Sequence, residues 1–178
     1  MDERYDIIRM VRDKRFRYIR NYEPLKPYYQ YMNTPEKGAT MKEIRRLEQS
    51  GILPSAAKLF SAKRKPIEEL YDLQNDPHEI RNLADNPVYI QQLKKMREAH
   101  YSWVRETRDI GLLPESEIIE REALYGSRYG ILRQKDSSSI MTRLSETAAL
   151  ASSGQDALPM LLKAINDIDA AVRYWGVT

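Results

Sequence analysis

The sequence predicts an α+β fold: a small antiparallel sheet with a long amphipathic helix packed on it, followed by an α-helical extension. Three observations predict it. Residues 5–22 read as a hairpin of two arms joined by Asp13-Lys14, the second arm alternating with period two. Tyr89, Leu93, Met96, His100, Trp103 and Val104 recur at helical spacing, with Lys94, Lys95, Arg97, Glu98, Arg105 and Glu106 on the other faces. From about Ser139 the chain becomes rich in Ala, Leu and Ser and poorer in aromatics.

The elements follow in order. The second hairpin arm places Phe16, Tyr18, Arg20 and Tyr22 on one face and Arg15, Arg17, Ile19 and Asn21 on the other. A lone hairpin is marginal, so it requires a third strand or a helix over its apolar face. Residues 23–39 read as irregular, interrupted by Pro24, Pro27 and Pro35, with Tyr28, Tyr29 and Tyr31 between them. Residues 40–50 read as a helix capped by Thr40, with Glu43 three residues on and Gly51 as its stop. A short helical turn over 55–61 docks Leu59 and Phe60, and 68–73 reads as a third strand. Asn75-Asp76-Pro77 is a turn, and Asn86 caps the long helix with Pro87 in its first position. A helix over 116–125 ends in a turn at 126–130. Helical patterns then cover 141–151, 157–165 and 170–177, broken at Gly154 and at Asp167-Ile168-Asp169. Leu158, Leu161, Leu162 and Ile165 share one side of the middle helix.

Composition removes several function classes. Of 178 residues, 42% are hydrophobic and 31% charged, and no run approaches the roughly 20 apolar residues of a membrane span. The first five residues hold no apolar signal-peptide core. The absence of Cys excludes disulfides, thiolate zinc sites and a Cys nucleophile. His78 and His100 are too few and too distant for a metal cluster and read as structural or solvated. No P-loop, dinucleotide glycine pattern, nucleophile elbow or zinc-protease helix occurs. Asp72 and Asp76 begin a calcium-loop spacing that fails at Pro77 and Leu83. Paired Glu68/Glu69 and Glu120/Glu122 read as solvated charges.

Net charge is only +3, yet the basic residues cluster. Arg9, Arg12, Lys14, Arg15, Arg17 and Arg20 form one group, and Lys58, Lys63, Arg64 and Lys65 another. Such groups attract phosphate or sulfate, or simply face water. The Arg/Tyr alternation also fits a base-stacking platform. However, Phe16, Tyr18 and Tyr22 share the face that a small sheet must bury, which favours a core. Nucleic acid is therefore not the expected partner.

The run Glu69-Leu70-Tyr71-Asp72-Leu73, then Asp76-Pro77, Glu79 and Asn82-Leu83-Ala84, closely resembles the C-terminal signature of the sulfatase family. Met1-Asp2-Glu3-Arg4-Tyr5-Asp6 and Val11 to Tyr22 resemble the hairpin before that signature in arylsulfatase-like and heparan N-sulfatase-like bacterial members. Trp103, Glu106-Thr107-Arg108-Asp109 and Leu112-Leu113-Pro114-Glu115 fit the same subgroup. The resemblance covers about residues 1–118. The tail resembles a HEAT repeat: Ala157-Leu158-Pro159, Leu161-Leu162 and Ala164-Ile165, then Asp169, Val172-Arg173 and Trp175. The implied organisation is a sulfatase C-terminal subdomain at 1–118, a linker with a short helix at 119–138 and a truncated HEAT-like repeat at 139–178.

The resemblance implies a parent enzyme that hydrolyses a sulfate ester or N-sulfate, using calcium and a formylglycine made within Cys/Ser-x-Pro-x-Arg. This chain contains no such motif, so no catalytic residue and no metal ligand is assigned in it. It is expected to be inactive alone, with a sulfatase catalytic domain in cis and further HEAT-like repeats as partners. Met1 is then expected to be an internal methionine or a misplaced start, and the last helix to be cut short at Thr178. Arg17, Arg20 and Tyr28 are the expected wall of a substrate cleft. The family is often periplasmic or extracellular; this segment itself carries no address. Two other classes remain open: a non-enzymatic basic/aromatic binding module, and a helical protein-interaction scaffold.

Overall fold

A computed structural model of the chain describes residues 4–178; residues 1–3, part of the opening run of the hairpin, lie outside the described residues. In chain order come β1 (Ile8–Arg12), β2 (Phe16–Asn21), α1 (Asn33–Glu36), α2 (Ala39–Gln49), α3 (Ser55–Phe60) and β3 (Glu68–Asp72). There follow α4 (Ile90–Thr107), α5 (Glu115–Tyr125), α6 (Ser137–Leu150), α7 (Leu158–Ala164) and α8 (Ala170–Val177). The fold is α+β.

The strands form one antiparallel sheet in the order β1-β2-β3, with Tyr18 opposite Val11 on one side and Leu70 on the other. The hairpin turn lacks glycine. Instead the Asp13 carboxylate accepts from the Arg15 and Phe16 backbone N–H groups at 2.8 and 2.7 Å, an Asx turn that supplies the reversal. Strand alternation sends Phe16, Tyr18 and Arg20 of β2 towards α4, and Arg17 and Ile19 to the outer face.

The long helix lies over the sheet as its apolar stripe requires. Tyr18, Leu70, Leu83, Leu93 and Met96 make one buried cluster. A larger one runs from Ile7 and Tyr22 through Val104 and Leu112 to Leu144, Val172 and Trp175. The apolar core is therefore continuous from the hairpin to the last helix. Trp175, fully buried, donates its indole N–H to the Leu112 carbonyl at 2.7 Å. Asn86 caps the entry to α4 by accepting from Val88 N–H at 3.0 Å, through a 3₁₀ turn at Pro87–Tyr89.

Several details differ from the expected elements. Residues 33–36 make a helical turn within the segment read as irregular. Thr40 is not a cap: α2 starts after Gly38, which has extended backbone and no side chain to offer. Trp103 is 44% exposed, because the buried line of α4 is Leu93, Met96, His100 and Val104, and Trp103 projects one position off it. α6 begins at Ser137, four residues before the apolar pattern. On α7, Leu158 and Leu162 are half exposed, and the buried contact is made by the small Ala164.

His100 is fully buried under the sheet, its Nε2 2.9 Å from the Tyr22 hydroxyl, while Nδ1 has no hydrogen-bond partner among the described residues. Burial, reinforced by the nearby Arg20 and Arg9, lowers its pKa to about 4. A neutral folded form with an unfolded pKa near 6.5 makes the unfolded chain bind the extra proton. Stability is then complete above about pH 6.5 and is lost as pH falls towards 4, by about 3 kcal/mol from this group. Denaturant titrations across that range should show the slope, and His100→Leu should flatten it; an equal slope in the variant excludes His100 as the source.

Candidate functional site

The five residues of β3 place carboxylates on both faces of the sheet. Glu68 and Asp72 point to the α4 side with Leu70, and Glu69 to the outer side with Tyr71. Glu68 receives two hydrogen bonds from the Arg97 guanidinium, both 2.6 Å, and one from the Tyr18 hydroxyl at 2.6 Å. Burial alone would raise its pKa, but Arg97 and Tyr18 outweigh it and the pKa is lowered. Asp72 receives Arg15 at 2.6 Å, Asn75 at 2.8 Å and Gln74 N–H at 3.2 Å, and Arg15 foremost pulls its pKa down to about 2. Glu69 is only 3% exposed and accepts from the Asn21 amide at 2.6 Å and from the Tyr71 hydroxyl. The reading of Glu68 and Glu69 as solvated charges is thus corrected: Arg97, Tyr18 and Asn21, all distant in sequence, and the neighbouring Tyr71 satisfy them.

Asn82 closes the same motif. Its Oδ1 accepts from Leu70 N–H at 2.9 Å and Ala84 N–H at 3.0 Å, and its amide donates to the Glu68 carbonyl at 3.0 Å. With Leu83 N–H donating to the Leu70 carbonyl at 2.8 Å, the outer edge of β3 is satisfied by the loop after it. The run from Glu68 to Ala84 therefore acts as a folding device.

A cleft of about 360 Å³ lies over the outer face, lined by Tyr28, Phe60, Glu69, Tyr71, His78 and Glu79 among others. Burial, then the neighbouring Glu69, raises the pKa of both Tyr28 and Tyr71, so both hydroxyls stay protonated. Glu79 has φ of 55°, a left-handed backbone uncommon for its type, and its carboxylate pairs with Arg17. Tyr28 and Arg17 thus share the outer face. Arg20 does not: strand alternation turns it to the α4 side, where it is 4% exposed, lies over the Tyr22 ring and donates to the Ala149 carbonyl. Sequence reasoning missed Glu69, His78 and Glu79 as cleft residues. Glu79 lay in the recognised motif, but its pairing with Arg17 spans 62 positions and leaves no local signal.

The basic hairpin is largely committed to structure. Arg9, Arg15 and Arg17 pair with Asp109, Asp72 and Glu79. Tyr18 and Tyr22 are buried and offer no face for stacking. Lys65, counted in the second basic group, has a fully buried side chain paired with Asp6. Among the described residues no group of three or more His, Cys, Asp or Glu gathers at metal-binding distance, and no helix is long and apolar enough to cross a membrane. The arrangement offers hydroxyls, carboxylates and aromatic rings to a ligand.

The chain is 42% identical over 120 residues to an ulvan-active sulfatase of Formosa agariphila, a match covering 67% of this chain and 20% of that protein. A second ulvan-active sulfatase of the same organism is 40% identical over 102 residues, 57% of this chain and 18% of the relative. Human N-sulphoglucosamine sulphohydrolase is 37% identical over 54 residues, 30% of this chain and 11% of the relative. These relatives are sulfatases, and the chain spans at most about a fifth of the length of each. No protein-family model matches it.

Replacing Asn82 with Ala leaves the Leu70 N–H and the Glu68 carbonyl without their partner. Each partly buried orphan costs about 1–3 kcal/mol, so chemical denaturation should show Asn82→Ala less stable by about 2–6 kcal/mol. A change below about 0.5 kcal/mol, the range of ordinary surface substitutions, would remove Asn82 from this role.

Proposed function

We propose that this chain is the C-terminal structural part of a sulfatase, buttressing a catalytic domain in cis and supplying one wall of its substrate cleft. The observation that carries this is the 42% identity to one fifth of a sulfatase. The signature run supports it, because its residues are occupied in holding β3 in place. The parent would hydrolyse a sulfate ester or N-sulfate; the names of the relatives point to substrates such as ulvan or N-sulfoglucosamine.

Calcium and formylglycine belong to the parent and not to this segment. The sequence holds no Cys. The Asp72 carboxylate, which resembled the start of a calcium loop, is taken up by Arg15, Asn75 and Gln74. The residues present do not fit either group, and no reaction step is assigned to this chain.

Within this reading Arg17 and Tyr28 form the cleft wall through their side chains, and Arg20 supports the wall from behind through Ala149. The tail at 139–178 is the start of a HEAT-like repeat, with the half-exposed Leu158, Met160 and Leu162 as the side on which a next repeat stacks.

Two measurements test the proposal. The purified 178-residue chain should turn over no arylsulfate; turnover would overturn it. In the parent enzyme, Arg17→Ala and Tyr28→Ala should each raise KM about tenfold, equivalent to about 1.4 kcal/mol, with kcat little changed. Arg20→Ala should instead lower the melting temperature. An unchanged KM in both of the first two variants would remove the cleft-wall role.

A further inference from the structure

The two faces of the sheet are covered unequally. On the α4 side Ile7 and Tyr18 are buried. On the outer side the excursion between β2 and β3 covers one half, where Tyr28 and Phe60 stand with Ile19 over the cleft. The β1 half is bare. Ile8 and Met10 alternate outwards and are 41% and 49% exposed. In the register Met10 stands opposite Ile19 and Arg12 opposite Arg17. Ile8 and Met10 of the edge strand, with Ile19 beside them on β2, therefore form an apolar strip ending in two arginines, Arg12 and Arg17, the latter paired with Glu79.

We infer that this strip is the surface on which the chain docks against the catalytic domain of its sulfatase, with an acidic patch of that domain meeting Arg12. The inference rests on the sulfatase reading and adds the face. Three observations select this occupant. A sheet with apolar residues on both faces needs a layer on each, and this one has a layer only on the α4 side of β1. The matched region makes up a fifth of a sulfatase, so in such a protein four fifths of the chain lie outside it. The arginine end of the strip gives the contact a charge preference, and an apolar centre with a charged rim is the anatomy of a specific interface.

The chain has no cysteine, so a single introduced thiol reports its own surroundings. Met10→Cys, Ile8→Cys and, as a control, Leu124→Cys on α5, where Leu124 is 73% exposed, are made in the 178-residue chain. The same three are made in a joined protein in which the chain replaces the matching fifth of the Formosa agariphila ulvan-active sulfatase. Alkylation rates are read by peptide mass spectrometry, and sulfate release is assayed in parallel. The expected result is at least tenfold slower labelling at positions 8 and 10 in the joined protein and an unchanged rate at 124. A joined protein that releases sulfate yet labels at positions 8 and 10 as fast as the free chain overturns the docking face and leaves the sulfatase reading standing. A joined protein that releases no sulfate, when the unaltered relative does, counts against both.

Discussion

The structure depends on how a five-residue strand disposes of its acidic side chains. β3 carries Glu68, Glu69 and Asp72, and burying an unpaired carboxylate is prohibitive. Each therefore recruits a partner from a different element: Arg97 from α4, Asn21 from the end of β2, Arg15 from the hairpin turn. These pairings fix β3 beside β2 and fix α4 above both. The apolar contacts of Tyr18, Leu70, Leu93 and Met96 can form once that register is set. A one-residue slip would exchange the faces and bring Glu69 under α4 and Glu68 to the outside, with none of these partners in place.

The same constraint explains how a motif so rich in acids is held inside the fold. Glu68, Glu69 and Asp72 each accept two or more hydrogen bonds, and Glu79 pairs with Arg17 at the cleft. The strand's far edge is sealed by Asn82 and Leu83, so the signature run supports itself from both sides. On the outer face Tyr28, Phe60 and Glu79 surround a cleft over β2–β3, and Ile8 and Met10 stand exposed on β1. That division, a self-sealed interior and an exterior exposed over β1, is in keeping with the proposal that the chain buttresses a larger enzyme.

Much of this was legible in local pattern. Period-two alternation located both hairpin strands and assigned Tyr18 and Tyr22 to the core, and the Asn86-Pro87 pair located the start of the long helix. The same alternation put Arg20 on the buried face with them, which is where it lies. Its selection for the cleft followed charge and overlooked that geometry. Glu68 and Glu69 were misjudged because adjacent acids usually face water, and nothing within ten residues reveals Arg97, Asn21 or Arg15. Thr40 is not a cap because the helix is entered two residues earlier, after Gly38. His100 shared the stripe of α4, but its contact with Tyr22 bridges 78 positions and only the packed sheet creates it.

A double-mutant cycle on Glu68→Gln and Arg97→Met, followed by chemical denaturation, tests most directly whether the β3 carboxylates are structural fasteners. The account predicts that the two changes couple by about 2 kcal/mol, the double variant being less damaged than the sum of the singles. Additive losses, with no coupling beyond error, would contradict it.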